Sequence, residues 1–247
     1  MDLASLYRLH DTVPRGGPGS DATTMHALTL LPDVPPSARI LDVGCGNGKQ
    51  TLVLARTYLQ PVVAIDVYQP YLDHLKQAAA AAGLGPLIET RNLSMDALDY
   101  GPDSVDLIWS EGAVYILGVP VALKLWRPML KPEGLLAFSE LAWLVPDPPA
   151  EALAFWRAGY PGMETLAGNL AKIASEGYDT VETFAVPNDD WWTDYYTPLC
   201  NRIGSLRARG AVDSDLAEVL DATEQEIDLF SRHGDSYSYI FYLLRKN

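Results

Sequence analysis

Gly44-Cys45-Gly46-Asn47-Gly48 follows the apolar run Arg39-Ile40-Leu41-Asp42-Val43 and leads into a stretch where Leu52, Ala55 and Leu59 mark one helical face. Glycine carries no Cβ, so a glycine-rich turn between strand and helix lets main chain come close to a bound molecule. Adenine nucleosides bind at such turns, where they emerge from the carboxyl edge of a parallel sheet. The spacing is G-x-G-x-G. The dinucleotide fingerprint, G-x-G-x-x-G, would require glycine where Lys49 stands, which disfavours a pyrophosphate cradle. A second apolar run, Pro61 to Ile65, ends in Asp66, whose carboxylate can accept both ribose hydroxyl protons in a charge-assisted contact. Asp42, Gly44, Cys45, Gly46, Asn47, Gly48 and Asp66 are the candidate nucleoside-binding residues.

Further along, Ser104 to Trp109 reads as another strand, and Glu111 lies just past it at the same sheet edge. A carboxylate there serves as a general base, as an orienting group or as a loop acid. Glu140, near the end of the next strand, is a weaker candidate of the same kind. Aromatic residues crowd the second half: Tyr115, Trp143, Trp156, Tyr160, Trp191, Trp192, Tyr195, Tyr196, Tyr237 and Tyr239. Adjacent Trp191 and Trp192 cannot bury both rings on one face of a helix or strand, so one must meet a cavity, an interface or solvent. Tyr115, Trp143, Tyr160, Trp191, Trp192, Tyr195 and Tyr196 are the candidate substrate-binding residues. His10 reads as a surface histidine.

These residues need a scaffold that brings strand ends together. Short apolar strands at 39–43, 61–66, 87–92, 104–109 and 134–141 alternate with helical segments, including an alanine-rich helix over 69–82. Nearly continuous apolar strands are those covered on both faces, and β/α alternation implies a doubly wound parallel sheet. Residues 1–20 read as a turn-rich lead-in, followed by a helix over 21–31. Beyond Trp143 the rhythm changes at Pro146, Pro148 and Pro149. Helices are expected around 150–158, 164–175 and 194–209, a strand at 180–186, a helix opened by Asp213 or Ser214, and a last strand at 237–244. No linker divides the chain, so residues 1–247 read as one domain.

The glycine segment resembles motif I of class I S-adenosylmethionine-dependent methyltransferases, with Asp66 matching their ribose-binding acid. Ser94-Met95-Asp96 follows the third strand, where such enzymes place an acid near the adenine amine. Ser110-Glu111-Gly112 follows the fourth, which flanks the methionine part of the cofactor. Lys131-Pro132-Glu133-Gly134 resembles their LKPGG turn, with Glu133 in place of the first glycine. The whole chain is similar to one bacterial subgroup through Gly17-Pro18-Gly19-Ser20, the segment Ile108 to Ala113, and the segment Asp190 to Pro198. The resemblance implies a seven-stranded Rossmann-like sheet, six strands parallel and the last antiparallel, with a small cap from about 146–170 and 188–212. It implies S-adenosylmethionine as cofactor, adds Met95, Asp96 and Ser110 to its binding residues, and makes Glu111 the candidate catalytic residue. The expected reaction is in-line transfer of a methyl group to an O or N atom of a small-molecule acceptor. A non-catalytic S-adenosylmethionine sensor and an NAD(P)-dependent oxidoreductase remain as alternatives.

Bulk composition narrows the partners. Net charge is −14, from 18 basic against 32 acidic residues, which opposes binding to phosphate backbones. Two distant cysteines and four scattered histidines offer neither a disulfide framework nor metal-ligand spacing. No apolar run is long enough to span a membrane and no signal peptide is visible, so a reduced, cytoplasmic protein is expected. Oligomeric state is left open.

Overall fold

A computed structural model describes residues 2–210 and 212–247. Its first four strands are β1 (Ile40–Val43), β2 (Val62–Asp66), β3 (Ile88–Asn92) and β4 (Val105–Glu111); β5 (Leu130–Trp143), β6 (Glu164–Thr165), β7 (Tyr178–Ala185) and β8 (Tyr237–Lys246) complete the set. The sheet order is β3-β2-β1-β4-β5-β8-β7, and two-residue β6 pairs with β5. Strands β1 to β5 are mutually parallel, and β8 runs antiparallel to both β5 and β7. This is the doubly wound arrangement expected, with six long strands in one direction and the last reversed. β1 is buried throughout, as a central parallel strand should be.

The helices are α1 (Leu3–His10), α2 (Asp21–Leu30), α3 (Lys49–Tyr58), α4 (Gln69–Ala81), α5 (Val119–Trp126), α6 (Ala150–Gly159), α7 (Leu166–Ser175), α8 (Asn188–Trp191), α9 (Thr197–Ala208) and α10 (Ser214–His233). On one face, residues from α2, α3, α9 and α10 form a core with Ile40, Trp109, Leu141 and Phe241. On the other, α5 and α7 cover Leu41, Ile108, Phe138 and Tyr242, while Leu72 and Leu75 of α4 pack on Ala64 and Cys45.

Three elements differ from the sequence reading. The lead-in contains α1, whose N-cap is Asp2: its carboxylate accepts from Ser5 N at 2.7 Å. An eight-residue helix is marginal alone, and packing supplies the rest, since α1 lies against α9 and α10 and buries Leu9 in the main core. The single helix expected over 194–209 instead begins with α8, passes through a π-helical turn at Trp192–Tyr196 and continues as α9. Residues 164–165 leave the helix expected there to pair with the extended end of β5.

Candidate functional site

The glycine loop, Asp66, Met95, Asp96, Ser110 and Glu111 sit at the carboxyl edge of β1 to β4. Gly44, Gly46 and Gly48 all have positive φ, at 74°, 52° and 78°. The N–H groups of Gly44 and Cys45 both donate to Ile65 O, which folds the loop back over β2. The three glycines have different reasons to be there. A Cβ on Gly44 would lie 2.5 Å from Ala113 Cβ, and one on Gly48 would lie 2.3 Å from Leu75 Cδ1. At Gly46 a Cβ would meet nothing within 4 Å. The first two are required by packing; Gly46 faces open space.

Asp66 borders that space. Its Oδ2 accepts from Gly46 N at 2.9 Å and its Oδ1 from Tyr68 N at 2.9 Å. Each carboxylate oxygen can accept a further bond, so capacity for two hydroxyl donors remains. Burial pushes its pKa up, and the main-chain donors hold it down. Asp42 is deeper. Thr51 Oγ1 donates to its Oδ2 at 2.5 Å and Gln50 Nε2 to its Oδ1 at 3.4 Å. Burial raises Asp42 to about 7, against those two hydrogen bonds. It therefore braces the loop from beneath. Cys45 is buried under the loop, and Ser110 Oγ donates to Val43 O at 2.8 Å, tying β4 to β1. Met95 is buried beside Gly44, whereas Asp96 is exposed and accepts from Ser94 Oγ at 2.5 Å.

The start of the chain closes over this edge. Tyr7 of α1 stacks on Tyr68, with centroids 4.0 Å apart and planes within 3°. Asn47 Nδ2 donates to Val13 O at 2.8 Å, and Asn47 Oδ1 lies 3.2 Å from His74 Nδ1. His10, read above as a surface residue, is only 8% exposed: α1 turns it inward, where its Nδ1 lies 3.0 Å from Leu6 O. Burial holds its pKa below the ordinary value, so the ring is neutral at pH 7.

Glu111 is held from both sides. Its Oε1 accepts from Thr24 Oγ1 and from Trp109 Nε1, each at 2.8 Å. Its Oε2 accepts from Arg15 Nη1 at 3.2 Å, while Arg15 Nη2 donates to Asp21 Oδ1 at 2.8 Å. Burial raises the pKa of Glu111 and the Arg15 charge opposes that rise. A carboxylate so engaged positions the segment holding Arg15 and Thr24. Neither partner was singled out in the sequence; the only signal was the neighbouring Gly17 to Ser20 motif.

The aromatic candidates divide. Trp191 and Tyr196 are fully buried among Phe230, Tyr237 and Tyr239, and Trp143 packs on Tyr237. Trp192 is 36% exposed, so the adjacent pair does split between core and surface. Tyr195 Oη lies 3.5 Å from His10 Nε2, beneath α1. Tyr115, in the turn Val114–Ile116 after β4, is 44% exposed and meets Tyr160 edge-on at 6.2 Å. Asp190 accepts from Ser20 Oγ at 2.8 Å and from Thr23 Oγ1, which fastens this aromatic segment to the start of α2. Surface clefts at Ser37–Ile40 with Leu59–Val63, and at Pro32–Pro35 with Asp106 and Lys131–Leu135, lie at the opposite, amino edge of the sheet. Among the described residues no helix is long and apolar enough to cross a membrane.

Residues 40–134 match the family model of a methyltransferase domain. Over 119 residues the chain is 32% identical to the glycine/sarcosine/dimethylglycine N-methyltransferase of Actinopolyspora halophila, covering 47% of this chain and 21% of that protein. It thus spans well under two thirds of that relative's length. YjhP of Escherichia coli is 27% identical over 77% of each chain. Its crystal structure superimposes with a TM-score of 0.85 at 19% identity, covering 98% of this chain and 99% of that one. A S-adenosylmethionine-dependent methyltransferase from Geobacter sulfurreducens, solved with S-adenosyl-L-homocysteine, gives a TM-score of 0.84 at 20% identity, covering 100% of this chain and 99% of that one. These structures share the fold from end to end, N-terminal segment included. Residues 40–134 thus match a methyltransferase domain, and the chain as a whole has the fold of S-adenosylmethionine-dependent methyltransferase structures.

Proposed function

We propose that this protein binds S-adenosylmethionine at the Gly44–Gly48 loop and transfers its methyl group to an O or N atom of a small-molecule acceptor. The observation that carries the reading is Gly46: left-handed, free of any protein atom where a Cβ would stand, and hydrogen-bonded to the acid that closes β2. That cradle fits a nucleoside whose ribose is held by Asp66 and whose edge passes over main chain. S-adenosylhomocysteine bound to structural neighbours supports the same cofactor.

When bound, the cofactor supplies an activated methyl group on a sulfonium; the protein supplies orientation and exclusion of water. Asp66 accepts the ribose hydroxyls. Asp42 keeps the loop in its left-handed path. Cys45, Asn47, Met95, Asp96 and Ser110 line or brace the same site. Glu111 draws Arg15 and Thr24 over the methionine end and acts as a positioning residue. Tyr115, Tyr160, Trp192 and Tyr195 border the acceptor side, and Trp143, Trp191 and Tyr196 form the aromatic wall behind them. Segments 146–170 and 188–212, together with α1, form the cap. The name of one relative supports a small acceptor: the Actinopolyspora halophila protein is a glycine/sarcosine/dimethylglycine N-methyltransferase.

Isothermal titration with S-adenosylhomocysteine, followed by incubation of a metabolite extract with a labelled methyl donor, tests the proposal. Binding plus transfer to a low-mass product supports it. Binding without transfer points to a sensor, and no binding overturns it.

A further inference from the structure

Glu140 has no role in the site described so far, yet it is among the most buried charged side chains of the fold, with 1% exposure. It lies on β5 one residue beyond Ser139, the register partner of Glu111, and so reaches the same carboxyl edge. Its Oε1 accepts from the adjacent Leu141 N at 3.1 Å, and the Tyr160 hydroxyl stands near enough to donate to the carboxyl and oppose the rise of its pKa. Its Oε2 is buried with no hydrogen-bond partner among the described residues. A buried carboxylate oxygen left without a donor is costly, and such an atom calls for a partner from outside the chain, a ligand or an ordered water.

The surroundings are aromatic and acidic. Tyr115 stands in a turn packed against β5, and Tyr160 meets it from the end of α6. Tyr160 and Tyr239 lie near enough for Glu140 to weigh on their ionisation. Burial lifts Glu140 to about 8, so its carboxyl is largely neutral at pH 7. The other charges facing this region are acids or cations already matched. Glu226 lies close enough to weigh on Tyr115 and Tyr239, and its carboxylate is engaged by Tyr196 Oη. Lys172 is paired with Glu164 at 2.9 Å, and Arg15 gives its two Nη groups to Glu111 and Asp21. Among the described residues an anionic acceptor finds only Arg15 Nε, on a guanidinium already held by two carboxylates. A cation finds ring faces and a carboxyl that can ionise to meet it, the two features that favour ammonium groups.

We infer that Glu140, flanked by Tyr115 and Tyr160, is the acceptor subsite and that it takes an amine-bearing small molecule, bound through an ammonium N–H to Oε2. The inference rests on the methyltransferase reading above and narrows its acceptor to an amine, whose N–H proton passes to the Glu140 carboxylate so that the nitrogen lone pair is free when it takes the methyl group. Docking an ammonium ion on the neutral carboxyl makes a carboxylate–ammonium pair and releases one proton to solvent. A Gln at this position makes no such pair and releases none.

Benzylamine, benzyl alcohol and benzoate share a ring and differ in charge and donors, which makes them suitable probes. Each is titrated at pH 7 into the protein saturated with S-adenosylhomocysteine, in two buffers of different ionisation enthalpy. S-adenosylhomocysteine binding is read first: its absence overturns the cofactor reading, and this inference with it. With the cofactor product bound, benzylamine is expected to bind at least about tenfold more tightly than the other two, with proton release. Glu140→Gln should lose both the preference and the proton while keeping its S-adenosylhomocysteine affinity. Equal binding of benzoate or benzyl alcohol, benzylamine binding without proton release, no benzylamine binding at millimolar concentration, or an unchanged preference in Glu140→Gln overturns the assignment of Glu140 and leaves the cofactor reading standing.

Discussion

Two glycines of one loop separate fold from binding. Gly48→Ala places a Cβ against Leu75 at a left-handed position, so it should destabilise the protein by roughly 1–3 kcal/mol, read as a lowered midpoint in urea. Gly46→Val projects into open space, so its main effect should be loss of S-adenosylmethionine binding in calorimetry, with only the strain of its positive φ on stability. Asp66→Ala should weaken the cofactor by about 1.5–3 kcal/mol, the range for hydrogen bonds to a charged group. These residues were legible in the sequence because the motif is local: a strand, a turn and an acid, all in chain order. Arg15 was not. Its partner Glu111 lies 96 residues away, and an ion pair at that separation leaves no periodic trace. Glu140 was visible as an acid on a strand, but its stranded oxygen depends on packing that periodicity does not encode.

At the level of elements, the cover over the site is built from the start of the chain and held by a few polar contacts. Arg15→Ala leaves Glu111 buried with one cation fewer, and removing one member of a buried pair costs about 3–5 kcal/mol. The same variant should speed proteolysis and hydrogen exchange within residues 3–20, and added S-adenosylhomocysteine should restore part of the protection. Unchanged exchange there would mean that the segment is held by α9 and α10 alone. Strands and long helices were readable from their apolar patterns, whereas α1 was not. Eight residues carry too little intrinsic preference, and α1 exists because Leu9 and His10 find a place in a core assembled from the far end of the chain. The π-helical turn was hidden for a similar reason, since one helical pattern runs through both its ends.

For the whole molecule, buried acids set how stability responds to pH. Asp42 and Glu140 are raised by burial to about 7 and about 8. The folded state therefore holds protons that the unfolded chain has released, and stability falls as pH climbs from the ordinary carboxylate range through those values. Glu140→Gln should flatten the upper part of that fall, between about pH 7 and 8.5, in thermal unfolding followed across pH. A slope identical to wild type would show that Glu140 ionises at an ordinary value. The sheet's alternation of β and α was open to sequence reading, and its order was not; the reversed β8 came from resemblance, because periodicity gives a strand no direction. The closure of residues 3–20 over the carboxyl edge has one more consequence, and it concerns traffic. Tyr7 on Tyr68, Val13 on Asn47 and Ser20 on Asp190 seal one rim with the same stretch of chain. A cover of that kind must open before a nucleoside can reach Gly46, so the binding rate of S-adenosylhomocysteine should fall in viscous solvent.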